Sequence, residues 1–231
     1  IWDGRTLTLA RDAVGARTLF YARTPDGWAA ASTLRAFRQQ PGLDVRLDLA
    51  AVRDFLTFAY VPGERTLFEG VREVPPGCAV RLGAGGAVEC IAYWEPRETE
   101  DDPDARPGPL ARRLRELLER ATARRLPRGD EVGVFLSGGL DSSVVTALAA
   151  RLHNRPVRTY AINFGDELPN ELAYSGLVAT HCRTRHRVLT FTGEQVAAHL
   201  PEAIAELDCL VGDPLTAPNL LLARAAASDG L

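Results

Sequence analysis

Two periodicities divide the chain. Over residues 1–94 apolar positions recur mostly every second residue, and from residue 110 onward short apolar runs alternate with helical stripes. Thr6-Leu7-Thr8-Leu9-Ala10 alternates, Thr18-Leu19-Phe20-Tyr21 is rich in β-formers, and Thr24-Pro25-Asp26-Gly27 makes a turn before Trp28-Ala29-Ala30-Ala31. Residues 1–32 therefore read as antiparallel strands. Asp48 is placed to cap a helix running to Ala59, with Leu49, Val52, Phe55 and Leu56 at helical spacing. Val74-Pro75-Pro76-Gly77 predicts a turn, and residues 78–82 and 87–91 predict two strands joined by the glycine-rich stretch 83–86.

Residues 95–109 are acidic and proline-rich with no apolar period, the composition of a linker. A long helix follows, with Leu110, Leu114, Leu117, Leu118 and Ala121 on one face and arginine and glutamate on the other. The period then switches. Residues 132–136, 157–162 and 186–191 predict strands, and 142–152, 170–181 and 194–207 predict helices. Alternating strands and helices argue for a parallel sheet with crossover helices. The expected build is two domains: an α+β one over 1–94 with an antiparallel sheet, and an α/β one over 110–231.

Composition narrows the function classes. A net charge of −3 does not suggest nucleic acid as a partner. No apolar run approaches the roughly 18 residues that cross a membrane, and no signal peptide opens the chain. The cysteines Cys78, Cys90, Cys182 and Cys209 are scattered, with no CxxC pair. They read as small reduced core residues, which points to the cytoplasm. The sequence has no methionine, opens inside a strand-like pattern and closes on Asp229-Gly230-Leu231, so it reads as an internal stretch of a longer protein. It also has no lysine, which codon bias in a GC-rich genome explains.

The chemistry concentrates in Phe135-Leu136-Ser137-Gly138-Gly139-Leu140-Asp141-Ser142-Ser143. On the predicted map this is the carboxyl end of a central parallel strand, a glycine turn and a helix start. Ligands in such sheets bind outside the carboxyl ends of strands. A helix start offers unpaired amides and a positive dipole end to a phosphate. The two glycines permit strained backbone angles and keep side chains out of the way. The common nucleotide loop requires a lysine, and none exists here. Asp141 beside a phosphate needs a cation between them, and Mg²⁺ commonly bridges carboxylate and phosphate oxygens. The plainer reading is a glycine turn with Asp141 as an ordinary helix cap.

The string Ser137-Gly138-Gly139-Leu140-Asp141-Ser142-Ser143 resembles the pyrophosphate (PP) loop of the ATP pyrophosphatase fold, and Glu131-Val132-Gly133-Val134-Phe135-Leu136 before it narrows the resemblance to glutamine-hydrolysing asparagine synthetases. Residues 10–21 are similar to the late strands of that family's N-terminal-nucleophile, class II glutaminase domain, with Thr18 where proline is usual. Residues 31–36, with Thr33 and Arg35 as departures, residues 66–77 and Tyr93-Trp94 resemble the segments up to the domain junction. Residues 169–174, Asp213-Pro214 and residues 221–224 resemble the next helices. The resemblance implies the C-terminal part of a glutaminase domain over 1–94, a linker over 95–109, and the N-terminal part of a synthetase domain over 110–231, truncated at both ends.

Roles follow from the resemblance. Main-chain groups of Leu136 and Ile162 hold adenine. Ser137, Gly138, Gly139, Ser142 and Ser143 bind the β- and γ-phosphates of ATP, and Asp141 ligates Mg²⁺. Glu171 and Asp213 lie near the expected site and serve equally well as cap or surface charge. The implied reaction adenylates a substrate carboxylate, aspartate foremost, and transfers glutamine-derived ammonia to it. The glutaminase nucleophile and a second acidic loop belong to segments outside this sequence, so no catalytic residue is assigned here and the stretch alone is expected to be inactive. The implied partners are small molecules and a second copy in a homodimer, without nucleic acid or membrane. β-Lactam synthetases and lasso-peptide cyclases share the same plan and close a ring without ammonia, and a non-catalytic homologue is a third reading. Synthetases of GMP and NAD share the loop but not the upstream strands. Arg11-Asp12 reads as a structural salt bridge between strands, and His181 and His186 as solvated residues at a helix end and a strand start.

Overall fold

The computed structural model describes residues 1–97, 106–165 and 171–231. The chain forms two compact units, one of Ile1–Glu98 with Ile204–Asp213 and the other of Thr99–Ala203 with Pro214–Leu231. Most of the stretch read as a linker, and Pro169-Asn170 of the family-like segment, lie outside the described residues.

The first unit is built on two three-stranded antiparallel sheets. Strands β1 (Thr6–Ala10), β5 (Cys78–Gly83) and β6 (Val88–Ala92) form one, in the order β1-β5-β6. Strands β2 (Phe20–Thr24), β3 (Gly27–Ala31) and β4 (Val71–Glu73) form the other, in the order β3-β2-β4. Alternation along β2 explains the layering. Tyr21 points into a core with Leu9, Val80 and Leu82 of the first sheet, while Phe20 and Ala22 point the other way, to Val71, Leu34 and Phe37. Leu34 and Phe37 come from a 3-10 helix over Leu34–Gln39 that Thr33 caps through its side chain. The indole of Trp28 ties the sheets by donating to the carbonyl of Gly83 at 2.9 Å.

Helix α1 (Leu49–Phe58) has the predicted cap: the Asp48 carboxylate accepts from the amides of Ala50 and Ala51. Ala59 closes it in the left-handed conformation. Strand β2 begins two residues later than the apolar pattern suggests. Thr18 instead turns its hydroxyl to the carbonyl of Ser32 at 2.7 Å.

Three local expectations are corrected. Arg11 and Asp12 do not pair with each other. Arg11 meets Glu73 at 2.7 Å and donates to the carbonyls of Val74, Arg17 and Gly15, while Asp12 accepts from the amides of Ala16 and Arg17. The cysteines are free, as expected, but none is in the core: Cys90 and Cys209 are exposed, and Cys78 and Cys182 are half-buried. Cys90 lies on β6, whose residues are all exposed. His186 is not solvated, because its Nδ1 bonds the hydroxyl of the fully buried Thr159 at 2.9 Å and its Nε2 is buried without a partner.

The second unit holds a three-stranded parallel sheet in the order β7-β8-β9, with β7 at Gly133–Phe135, β8 at Arg158–Asn163 and β9 at Arg185–Thr190. Its helices are α2 (Pro107–Ala123), α3 (Leu140–Leu152), α4 (Leu172–Cys182), α5 (Gly193–Glu206) and α6 (Thr216–Ser228). The last turn of α5 belongs to the first unit. Helix α2 starts at Pro107, taking in the last residues of the proline-rich stretch, because proline suits the first helical turn. Strands β7 and β8 each lead into a helix, α3 and α4, that returns to the start of the next strand, the connection parallel strands require. Asp229, just past α6, holds that helix to the sheet by accepting from Tyr160 of β8 at 2.9 Å and from Arg187 of β9 at 2.8 Å. None of the helices among the described residues is long and apolar enough to cross a membrane.

Candidate nucleotide site

Strand β7 ends where its ladder ends. In a parallel ladder alternate residues of the central strand face opposite neighbours, so the even-numbered residues of β8 face β7: Arg158 donates to Val132, and Leu136 donates to Tyr160 at 2.8 Å. The next rung would join the amide of Ile162 to the carbonyl of Leu136, and that bond is not formed. Among the described residues these two groups, one donor and one acceptor, have no hydrogen-bond partner. Both residues line a cavity of about 260 Å³ with Ser137, Glu171 and Asn219.

The glycine turn leaves β7 at this point. Gly138 takes φ +100°, and a Cβ there would lie 2.8 Å from the carbonyl oxygen of Glu171 and 2.9 Å from the amide of Ser175. The start of α4 thus packs directly on the turn, and only glycine leaves room for it. Gly139 caps α3 with its carbonyl, which accepts from the amide of Ser143 at 3.1 Å and from the hydroxyls of Ser142 at 3.2 Å and Ser143 at 2.7 Å. The Ser137 hydroxyl accepts from the amide of Gly139 at 3.2 Å and lies 3.1 Å from the Ser142 hydroxyl. Helix α3 consequently begins two residues before the predicted start.

The amides of Leu140, Asp141 and Ser142 donate to nothing among the described residues. With the dipole of a helix of 13 residues behind them they form an anion seat. Asp141 stands exposed in the first turn of α3. The structure therefore brings Leu136, Ser137 and Ile162 to one cavity, and Ser137, Gly139, Ser142 and Ser143 to one hydrogen-bonded turn continuous with it through Ser137. Glu171 reaches the cavity. Asp213 does not line it and lies in the segment that groups with the first unit.

No cluster of three metal-ligating side chains occurs among the described residues. Asp141 is a single carboxylate, which suits Mg²⁺ held jointly with phosphate oxygens rather than by a protein cage. Sequence reasoning missed Asn219. A lone asparagine in an apolar helix carries no motif, and only the return of α6 over the sheet brings it to the cavity.

Comparison with known proteins agrees with the division into two parts. The asparagine synthase family matches residues 113–231, and the glutamine amidotransferase domain matches residues 1–94. A putative glutamine-hydrolyzing asparagine synthetase of Mycobacterium tuberculosis is 32% identical over 237 residues, covering 98% of this chain and 36% of the relative. The glutamine-hydrolyzing asparagine synthetase 1 of Bacillus subtilis is 25% identical over 98% of this chain and 35% of its own length. The carboxyethyl-arginine beta-lactam-synthase of Streptomyces clavuligerus is 31% identical over 87% of this chain and 36% of its own length. The chain spans little more than a third of these curated relatives. With an amidotransferase part of antiparallel sheets followed by a synthase part whose parallel sheet carries the glycine turn, the chain belongs to the asparagine synthase family, with the two-part build of a glutamine-hydrolysing asparagine synthetase.

Proposed function

We propose that this chain supplies the ATP-gripping part of an amide ligase that activates a substrate carboxylate, aspartate foremost, as its adenylate and transfers glutamine-derived ammonia to it, releasing pyrophosphate and AMP. The observation that carries this reading is the continuity between the anion seat at α3 and the unpaired strand ends at Leu136 and Ile162. Those strand ends offer a donor and an acceptor to the base. The amides of Leu140, Asp141 and Ser142, with the Ser142 and Ser143 hydroxyls, take the β- and γ-phosphates, and Gly138, whose missing Cβ makes room for the start of α4, and Gly139 form the turn that presents them. Asp141 holds Mg²⁺, which when bound neutralises phosphate charge. The chain's contribution is positioning and charge compensation before the carboxylate attacks.

Exchange of labelled pyrophosphate into ATP tests the reading in the full-length protein. Exchange that requires Mg²⁺ and aspartate is expected, and its absence with every carboxylate tried would overturn the ligase reading. The 31% identity to a beta-lactam synthase supports a second, ring-closing reading. Release of glutamate from glutamine separates the two, because ring closure needs no ammonia. The working form is proposed to be a cytoplasmic homodimer, which the mass of the native protein in solution tests.

A further inference from the structure

Four polar side chains line the cavity at the strand ends: Ser137, Tyr160, Glu171 and Asn219. Three have other commitments. The Ser137 hydroxyl belongs to the glycine turn, through Gly139 and Ser142. The Tyr160 hydroxyl donates to Asp229. Glu171 lies where α4 packs on Gly138, at the phosphate end of the site, and its carboxylate can only accept.

Asn219 differs from all three. Its main chain is held in the first turn of α6 by donation to the carbonyl of Leu215 at 2.8 Å, and its carboxamide has no hydrogen bond among the described residues. That group offers an acceptor oxygen and two N–H donors side by side. The walls around it are apolar, with Phe164, Leu215 and Leu222 among them, and Asn219 itself is exposed, so its carboxamide is open to a ligand that enters the cavity in place of solvent.

The main chain already supplies one donor and one acceptor at Ile162 and Leu136, enough for adenine N1 and one hydrogen of its 6-amino group. The other polar edge of adenine presents N7 as acceptor and the second 6-amino hydrogen as donor. A carboxamide satisfies that pair with two bonds, whereas guanine offers acceptors at both positions and leaves one bond unmade. We propose that Asn219 reads the N7 and 6-amino edge of the base and sets the preference of this site for adenine over guanine. The proposal rests on the adenylate reading above and adds to it a residue that selects the base.

Equilibrium binding to the full-length protein with Mg²⁺, using ATP, 7-deaza-ATP and GTP, tests it without recourse to turnover. Wild type should bind ATP about tenfold or more tighter than 7-deaza-ATP, which lacks only the N7 acceptor, and tighter still than GTP. Asn219→Leu should weaken ATP about tenfold and bind ATP and 7-deaza-ATP alike. The wild-type comparison involves no substitution, so it stands even if the variant fails to fold. Equal wild-type affinity for ATP and 7-deaza-ATP, or discrimination surviving in Asn219→Leu, overturns the role of Asn219 and leaves the adenylate reading intact. Wild type that binds no nucleotide overturns both.

Discussion

Leu136 donates its amide to the carbonyl of Tyr160 at 2.8 Å, and this is the last rung between β7 and β8. One residue on, the strands part, and the freed main-chain groups open onto the cavity next to the glycine turn. A parallel ladder stopped at that register places the unpaired strand ends beside the glycine turn and the free amides of α3 through a single backbone divergence.

Substitution at the turn should be severe for steric reasons. In Gly138→Ala the new Cβ would meet the backbone of Glu171 and Ser175, which cannot swing aside as a side chain can, at a φ of +100°. We expect a loss of about 1–3 kcal/mol from the strained backbone alone, together with loss of nucleotide binding. Chemical denaturation and calorimetric titration with ATP measure the two effects separately.

Asp141→Asn should show the opposite profile. The side chain is exposed and makes no hydrogen bond among the described residues, so stability should stay within about 0.5 kcal/mol of wild type. Mg²⁺-dependent pyrophosphate exchange should fall about 100-fold or more, the order seen when one electrostatic group is removed from a reacting centre. An unchanged exchange rate at low Mg²⁺ would overturn the proposed metal-binding role of Asp141.

Arg11 and Glu73 form a nearly enclosed pair at 2.7 Å, with side chains 10% and 18% exposed. Arg11→Ala strands the Glu73 carboxylate and three main-chain carbonyls, and should cost about 3–5 kcal/mol. Glu73→Gln keeps a hydrogen-bond acceptor beside the guanidinium and should cost less. Urea midpoints of the two variants, compared at neutral pH, give the order.

His186 predicts acid sensitivity in the second unit. Burial pushes its imidazole below the usual value of about 6.5, so the unfolded chain binds the proton more readily than the folded one. The stability this contributes is present above about pH 6.5 and is lost as pH falls through the folded pKa. Asp229 acts lower on the scale: its bonds from Arg187 and Tyr160 hold its carboxyl below the usual range. Thermal melts of His186→Phe should lose the step just below pH 6.5 and keep the one in stronger acid.

Much of the fold was legible because local chemistry and tertiary burial agreed. Asp48 capped α1, the glycine-rich stretch after β5 turned the β5–β6 hairpin, and the strand–helix alternation after residue 130 became a parallel sheet. The glycine turn was legible because its residue types serve backbone geometry directly. Pairings that depend on distant segments were hidden. Arg11 passes its neighbour Asp12 to reach Glu73, 62 residues on, through strand pairing that no local pattern encodes. His186 became half-buried because β9 pairs it in register with Thr159. Asn219 emerged only once α6 folded back over β8.

The segment Ile204–Asp213 groups with the first unit although the residues on both sides of it belong to the second. Within that unit Leu34 donates to the carbonyl of Asp208, and Gly212 donates to that of Ala59. The polypeptide accordingly passes from one unit to the other three times, as thread does through two pieces of cloth. One protease cut after Arg97 would therefore release neither piece, and a gene trimmed there would yield a first half missing a portion of its own fabric.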